Sequence, residues 1–185
     1  MKKIFLVLIT FTLFLKTEYI LANDLIKEGT YGIGGSGSIS VNHIENNNLI
    51  YNLTSFVFQP NILYFFSKGL ALGSVIEYNW VKSNGLYNYK SKYWGFGPQI
   101  RYYFLQNQYN PFIYINYQYQ SDFLKSDGNN NTLKSNKFSI GLGLDLFIIK
   151  NVAIEPSLEY YKYQSDNDYK SEGVELNVGL NIFIL

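Results

Sequence analysis

Apolar and polar residues alternate along most of this chain, a period of two that puts them on opposite faces of extended strands. Between Gly29 and Val41, Tyr31, Ile33, Ile39 and Val41 alternate with Gly32, Gly34, Ser36, Ser38 and Ser40. From Tyr51 to Phe66, Phe56, Phe58, Pro60, Ile62 and Tyr64 alternate with Ser55, Val57, Gln59 and Asn61. After a tight turn at Ser67-Lys68-Gly69, Leu70, Leu72, Ile76, Tyr78 and Trp80 oppose Ala71, Gly73, Glu77 and Asn79. Trp94, Phe96, Pro98, Ile100, Tyr102 and Phe104 then oppose Gly95, Gly97, Gln99, Arg101 and Tyr103, and Ile113, Ile115, Tyr117 and Tyr119 oppose Tyr114, Asn116 and Gln118. Three more segments follow. The first sets Phe138, Ile140, Leu142, Leu144, Leu146 and Ile148 against Ser139, Gly141, Gly143 and Asp145. The second sets Val152, Ile154, Pro156, Leu158 and Tyr160 against Ala153, Glu155, Ser157 and Glu159. The last, GVELNVGLNIFIL, sets Val174, Leu176, Val178, Leu180, Ile182 and Ile184 against Glu175, Asn177, Gly179 and Asn181.

Short turns near Lys68, Asn107 and Lys150 alternate with longer polar stretches at 42–50, 81–91, 121–136 and 165–171. The stretch 121–136 contains DGNNN and reads as a loop rather than a strand. A terminal strand with no later partner must pair backward or close onto the first. The pattern predicts an all-β fold, a closed antiparallel up-and-down transmembrane β-barrel of eight strands. The glycine-rich GIGGSG invites comparison with a phosphate loop, but no helix pattern and no Lys-Ser/Thr follow it.

Alternation does not say which face points inward; volume does. An eight-stranded barrel has an interior just wide enough for side chains to fill. Trp80, Trp94 and the many Phe, Tyr, Ile and Leu of the apolar face would overfill it, whereas the Gly, Ser, Ala and Asn of the other face fit. The apolar face therefore points outward, to lipid. Tyr31, Tyr64, Tyr78, Trp80, Trp94, Tyr102, Phe104, Tyr117, Tyr119 and Tyr160 lie toward strand ends on that face, where interfacial aromatic girdles belong.

Composition agrees. Tyr 18 and Phe 14 stand beside only 16% charged residues, where soluble domains carry about a quarter. There is no Cys, hence no disulfide framework and no thiol chemistry. Lys2 and Lys3 precede an apolar run from Ile4 to Leu15, and Leu21-Ala22 precedes Asn23, the grammar of a secretory signal peptide over 1–22 with the barrel domain over 23–185. Without Lys2, Lys3, Lys16 and Glu18 the remaining chain is near neutral, so it lacks the basic footprint of a nucleic-acid partner.

Two sets of residues carry a resemblance. Asn177, Gly179, Ile182 and Ile184 resemble the C-terminal insertion signal of bacterial outer-membrane barrels. Pro60 with Tyr64-Phe65, Leu70-Ala71-Leu72-Gly73, Gly97-Pro98, Arg101-Tyr102-Tyr103-Phe104, Pro111-Phe112, Gly141 and Gly143, and Val152-Ala153-Ile154 resemble the outer-membrane protein beta-barrel domain family, which includes OmpA- and OmpX-type small barrels. The resemblance implies an integral outer-membrane protein exported through a cleaved signal peptide. Its partners would be outer-membrane lipids, periplasmic chaperones, the barrel-assembly machinery and an extracellular ligand held by the loops.

The inward parity supplies the candidate site. It holds Glu77, Asp145, Glu155 and Glu159 and, within the expected strands, one cation, Arg101. Asp145 and Glu155 lie equally far from the Lys150 turn and should be cross-strand neighbours, where like charges repel. A guanidinium fork can serve two carboxylates. We therefore expect an Arg101-centred cluster with Asp145 and Glu155, and a higher layer in which Glu77 and Glu159 bond to polar groups, water or a proton.

Catalytic signals are weak. His43 is the only histidine, in an expected loop beside Glu45 and near Ser40, residue types that a rim-located lipid-modifying enzyme would use. A lone loop histidine with no matching motif is ordinarily a solvated side chain. Asp127, Asn129, Asn130 and Asn131 offer oxygens to Ca²⁺, but the EF-hand spacing and its closing Glu are missing; Asp166, Asp168 and Glu172 read the same way. We expect no enzyme, cofactor or metal. The expected function is a structural or surface-interaction scaffold presenting extracellular loops, with a narrow pore for small or hydrophobic solutes as the alternative.

Overall fold

A computed structural model describes residues 26–46, 49–85, 89–105, 109–126, 129–166 and 170–185. The expected signal peptide, 1–22, and the turn residue Asn107 lie outside them. Eight strands follow in order: β1 (Tyr31–Asn46), β2 (Leu49–Ser67), β3 (Leu70–Gly85), β4 (Tyr89–Tyr103), β5 (Tyr109–Ser126), β6 (Asn129–Ile149), β7 (Val152–Ser165) and β8 (Lys170–Ile184). Each pairs antiparallel with its neighbour, and β8 returns to β1 to close the barrel. Closure removes the free sheet edges that a last strand would otherwise present.

The strands run longer than the apolar alternation. The expected loop 121–136 is strand on both sides: the β5–β6 ladder continues through Asp122↔Leu133 to Ser126↔Asn129. Likewise β1–β2 reaches Asn46↔Leu49, and β3–β4 reaches Ser83↔Tyr89. A backbone ladder needs only paired N–H and C=O groups. Where both faces meet water the side chains can be polar, and the period-two signal fades while the strand persists. At the opposite end the described turns, β2–β3 and β6–β7, are tight. Lys68-Gly69 joins β2 to β3, with Gly69 at φ 77°, a left-handed conformation in which glycine carries no Cβ penalty. Register shifts between Phe65 and Ser67 and between Phe147 and Ile149 sit beside the turns at Lys68 and Lys150.

The outer face is apolar. Leu142, Leu176 and Val178 are 61%, 70% and 58% exposed, an uncovered apolar surface that water does not tolerate at this extent and a bilayer does. Aromatic residues bound this band. At the turn end Tyr31 packs on Tyr64 at 5.1 Å and Tyr102 on Phe104 at 5.3 Å. At the hairpin end Tyr78, Trp94, Tyr117, Tyr119 and Tyr160 face outward.

Inside, the turn end is filled by an apolar plug of Leu63, Phe65, Tyr103, Phe112, Tyr114, Phe147 and Phe183. Ile26 enters the same cluster, carried there because Gly29 N donates to Phe65 O at 2.9 Å and Phe65 N to Thr30 O at 2.9 Å. The inner face is thus not uniformly small. Gly141 and Gly143 lie directly opposite Tyr114 and Phe112. A Cβ on either glycine would come within 2.3 Å of its partner's ring, so these glycines are the space the two rings occupy.

On β8 the lipid band extends from Val174, opposite Tyr160, to Ile184, opposite Tyr31, so Leu180 lies nearer its middle than Ile184. Leu180→Arg is expected to cost about 2–4 kcal/mol and Ile184→Arg about 0–1 kcal/mol. Urea titration of the protein in lipid vesicles measures both, and the reverse order would refute this placement of the band.

Candidate functional site

Above the apolar plug the lumen holds two charged layers. The lower is built on Arg101 of β4, which is 2% exposed. Its Nη1 donates to Glu155 Oε2 at 2.5 Å and its Nη2 to Glu155 Oε1 at 3.3 Å. The guanidinium lies over the Phe112 ring, 4.2 Å from its centroid, with Tyr114 at 5.7 Å, so a cation–π contact adds to the ion pair. Asn181 of β8 donates to Glu155 Oε2 as well.

Asp145 is reached differently from the expectation. The fork does not grip both carboxylates. Tyr103, on the same face as Arg101 and two residues on, takes a hydrogen bond from Nη1 at 3.2 Å and donates its own hydroxyl to Asp145 Oδ2 at 2.9 Å. A phenol between a cation and a second carboxylate relays the attraction. Both terminal nitrogens of Arg101 meet Glu155, the stronger bidentate geometry, while Nη1 also serves Tyr103.

The upper layer corrects a second expectation. Arg101 is not the only strand cation on the inner face: Lys137 of β6 points inward, 5% exposed. Its Nζ lies 3.1 Å from Glu77 Oε2, 3.0 Å from Glu159 Oε1 and 3.9 Å from Glu175 Oε2. Glu77 and Glu159 are therefore joined through an ammonium. Gln59 donates to Glu77 at 2.8 Å, Tyr93 to Glu77 at 2.8 Å and Tyr114 to Glu159 at 3.0 Å. Lys137 immediately precedes Phe138, where the apolar alternation begins, and carrying that alternation one position back would have placed it inside. Glu175 was readable on the inward parity of β8. Tyr103, Tyr93 and Asn181 carried no chemical signal in the sequence beyond parity.

The residues of the expected insertion signal lie along β8 rather than in a cluster. Asn177 is buried on the inner face, Ile182 and Ile184 face outward, and Gly179 pairs with Ser36 across the closing seam. That seam runs only from Tyr31↔Ile184 to Gly37↔Val178. Above it Ser38 Oγ donates to Glu175 Oε1 at 3.2 Å. His43 pairs by register with Asn52 on β2. The side chains of Ser40, His43, Glu45 and Asn129–Asn131, and residues Asp127 and Asp168 entirely, lie outside the described residues. Among the described residues no His, Cys, Asp or Glu cluster is arranged to hold a metal.

Removing one partner of a buried ion pair costs about 3–5 kcal/mol, because the other charge is left without water or counter-charge. Arg101→Ala should lose stability on that scale, and Arg101→Ala with Glu155→Gln should regain part of it. Denaturant titration of both variants is the measurement; a double variant no more stable than the single would show that the two residues are not coupled.

Neither a protein-family model nor a curated protein matches the chain in sequence. Solved structures match its shape. Neisserial surface protein A superposes at a TM-score of 0.60 with 14% identity, covering 84% of this chain and 97% of that one. The outer membrane protein OprG from Pseudomonas aeruginosa gives a TM-score of 0.56 with 13% identity, covering 85% and 97%. Ail, the attachment invasion locus protein of Yersinia pestis, gives 0.54 with 14% identity, covering 85% and 99%. The likeness is one of fold, and the fold of this chain is that of the small eight-stranded outer-membrane barrels.

Proposed function

We propose that the protein is an integral outer-membrane barrel acting as a closed structural or surface-interaction scaffold, with its long hairpins on the extracellular side and its tight turns in the periplasm. The observation that carries this reading is the filled lumen. From the turn end upward the interior passes through the aromatic plug with Ile26, then the Arg101–Glu155 layer, then the Lys137 layer. A rigid barrel with a blocked axis has little to offer as a conduit, and its variable contact surface is the hairpin end. Export through the signal peptide and assembly through the β8 signal, by periplasmic chaperones and the barrel-assembly machinery, belong to the same proposal.

Planar-bilayer recording separates this from a narrow pore. The purified barrel is expected to give no steady unitary steps, and reproducible steps would sink the closed-scaffold reading. A second measurement addresses the surface role. Replacing the β5–β6 hairpin tip, residues 124–131, by a short turn should leave the heat-dependent gel shift of a folded barrel intact while reducing attachment of expressing cells to a host-cell or matrix surface. Unchanged attachment would count against that hairpin as a contact surface.

A further inference from the structure

Charge on the outer face is distributed unevenly around the hairpin end. One row of directly opposed positions runs Thr54, Lys82, Lys90, Lys125, Asn130 across β2 to β6. The outward row below it runs Phe56, Trp80, Lys92, Phe123, Thr132. Below that come Phe58, Tyr78 and Trp94, the aromatic edge of the lipid band. Lys90 and Lys92 are exposed and Lys82 partly so; Lys125 belongs to the row by register. Lys82 and Lys90 thus stand directly opposite each other with Lys92 next to them, an arrangement that destabilises a sheet unless something neutralises it.

Among the described side chains of β2 to β6 no carboxylate faces outward on this side. Strands β2 to β5 contain two carboxylates, Glu77 and Asp122, and both are buried on the inner face, as is Asp145, the one carboxylate of β6. The far side of the barrel is built the other way. There Lys162 lies directly opposite Glu172, which also accepts a 2.7 Å hydrogen bond from Tyr160.

We infer that Lys82, Lys90 and Lys92 bind the phosphate groups of an anionic lipid in the leaflet surrounding the hairpin end. The inference rests on the membrane reading above. It commits to lipid because these lysines share the outward parity of the lipid band, with Lys92 directly opposite Trp80 and Lys82 and Lys90 one row above, over Tyr78 and Trp94. Those residues mark the depth at which headgroups begin. Basic groups at that depth attract anionic headgroups, and the Trp80 and Phe56 side chains below offer apolar surface to the acyl chains of the same molecule.

Trp80 and Trp94 are the two tryptophans of the sequence, so intrinsic fluorescence reads which lipid lies against this face. The full barrel is reconstituted in phosphatidylcholine vesicles containing a minor fraction of phosphatidylglycerol, with brominated acyl chains on one lipid or the other. Quenching should show phosphatidylglycerol enriched about fivefold or more over its bulk fraction. In Lys82→Gln/Lys90→Gln/Lys92→Gln the enrichment should vanish, while Lys162→Gln/Lys170→Gln should leave it unchanged. If the triple variant does not fold, Lys90→Gln alone should lower the enrichment about twofold or more. No enrichment in a folded wild-type barrel would overturn the site and leave the membrane reading intact. A wild-type chain with no heat-dependent gel shift would instead fail the membrane reading. Loss of enrichment on adding inorganic phosphate, at an ionic strength where sodium chloride has no effect, would make this a free-phosphate site. Displacement of the lipid by a soluble sulfated polysaccharide would make the partner a glycan. Either displacement overturns the lipid assignment.

Discussion

A guanidinium and an ammonium taken out of water inside a barrel too narrow to hydrate them set the terms for much of this molecule. Arg101 and Lys137 are almost wholly buried, and desolvating such groups costs several kcal/mol each unless charge and hydrogen bonds replace the lost water. Glu155, Tyr103 and Asn181 surround the first; Glu77, Glu159 and Glu175 surround the second. Arg101 thereby ties β4 to β7, and Lys137 ties β6 to β3 and β8, strands that share no backbone ladder. The charged layers therefore brace the barrel across its axis.

The rest of the inner face follows from giving those layers a dry floor. Phe112 lies beneath the Arg101 guanidinium, and its ring continues through Tyr103, Phe65 and Phe183 to Phe147. Rings of that size fit an eight-stranded interior only where the facing strand gives way, which explains Gly141 and Gly143 opposite Tyr114 and Phe112. Ile26 closes the floor from the turn end. At these two pairs large and small residues face each other across neighbouring strands, which lets the interior pack closely.

Outside, the solvent changes twice along each strand. Within the lipid band the large exposed side chains are Leu, Ile, Val and Phe, bounded by aromatics. Beyond the hairpin-end edge the outward residues become Lys, Thr, Asn and Gln while the hydrogen-bonded ladder continues. The same strand therefore serves as membrane wall and as surface arm, and the lysines of β3 and β4 stand at the change.

The face of each strand residue was legible in the amino-acid sequence because a period of two is a property of the backbone: Glu77, Arg101, Asp145, Glu155 and Glu159 had to point one way if Ile76, Ile100, Leu144, Ile154 and Leu158 pointed the other. Strand number, antiparallel order and closure followed from that parity with the spacing of turns, and the outward sense followed from volume. Strand ends were not legible beyond the lipid band. There neither face is apolar, and the paired backbone groups that extend β5 and β6 to Ser126 and Asn129 leave no mark on side-chain pattern. The partners across the lumen were legible only as a grouping by height above the turns, Arg101 with Asp145 and Glu155, and not as individual contacts. Which residues of β4 and β7, or of β3 and β6, meet is decided by strand tilt and stagger around a closed barrel. The tertiary structure alone decided that Arg101 holds Glu155 while Tyr103 holds Asp145, and that Lys137 stands between Glu77 and Glu159, because these contacts span the axis and no local spacing along the chain encodes them.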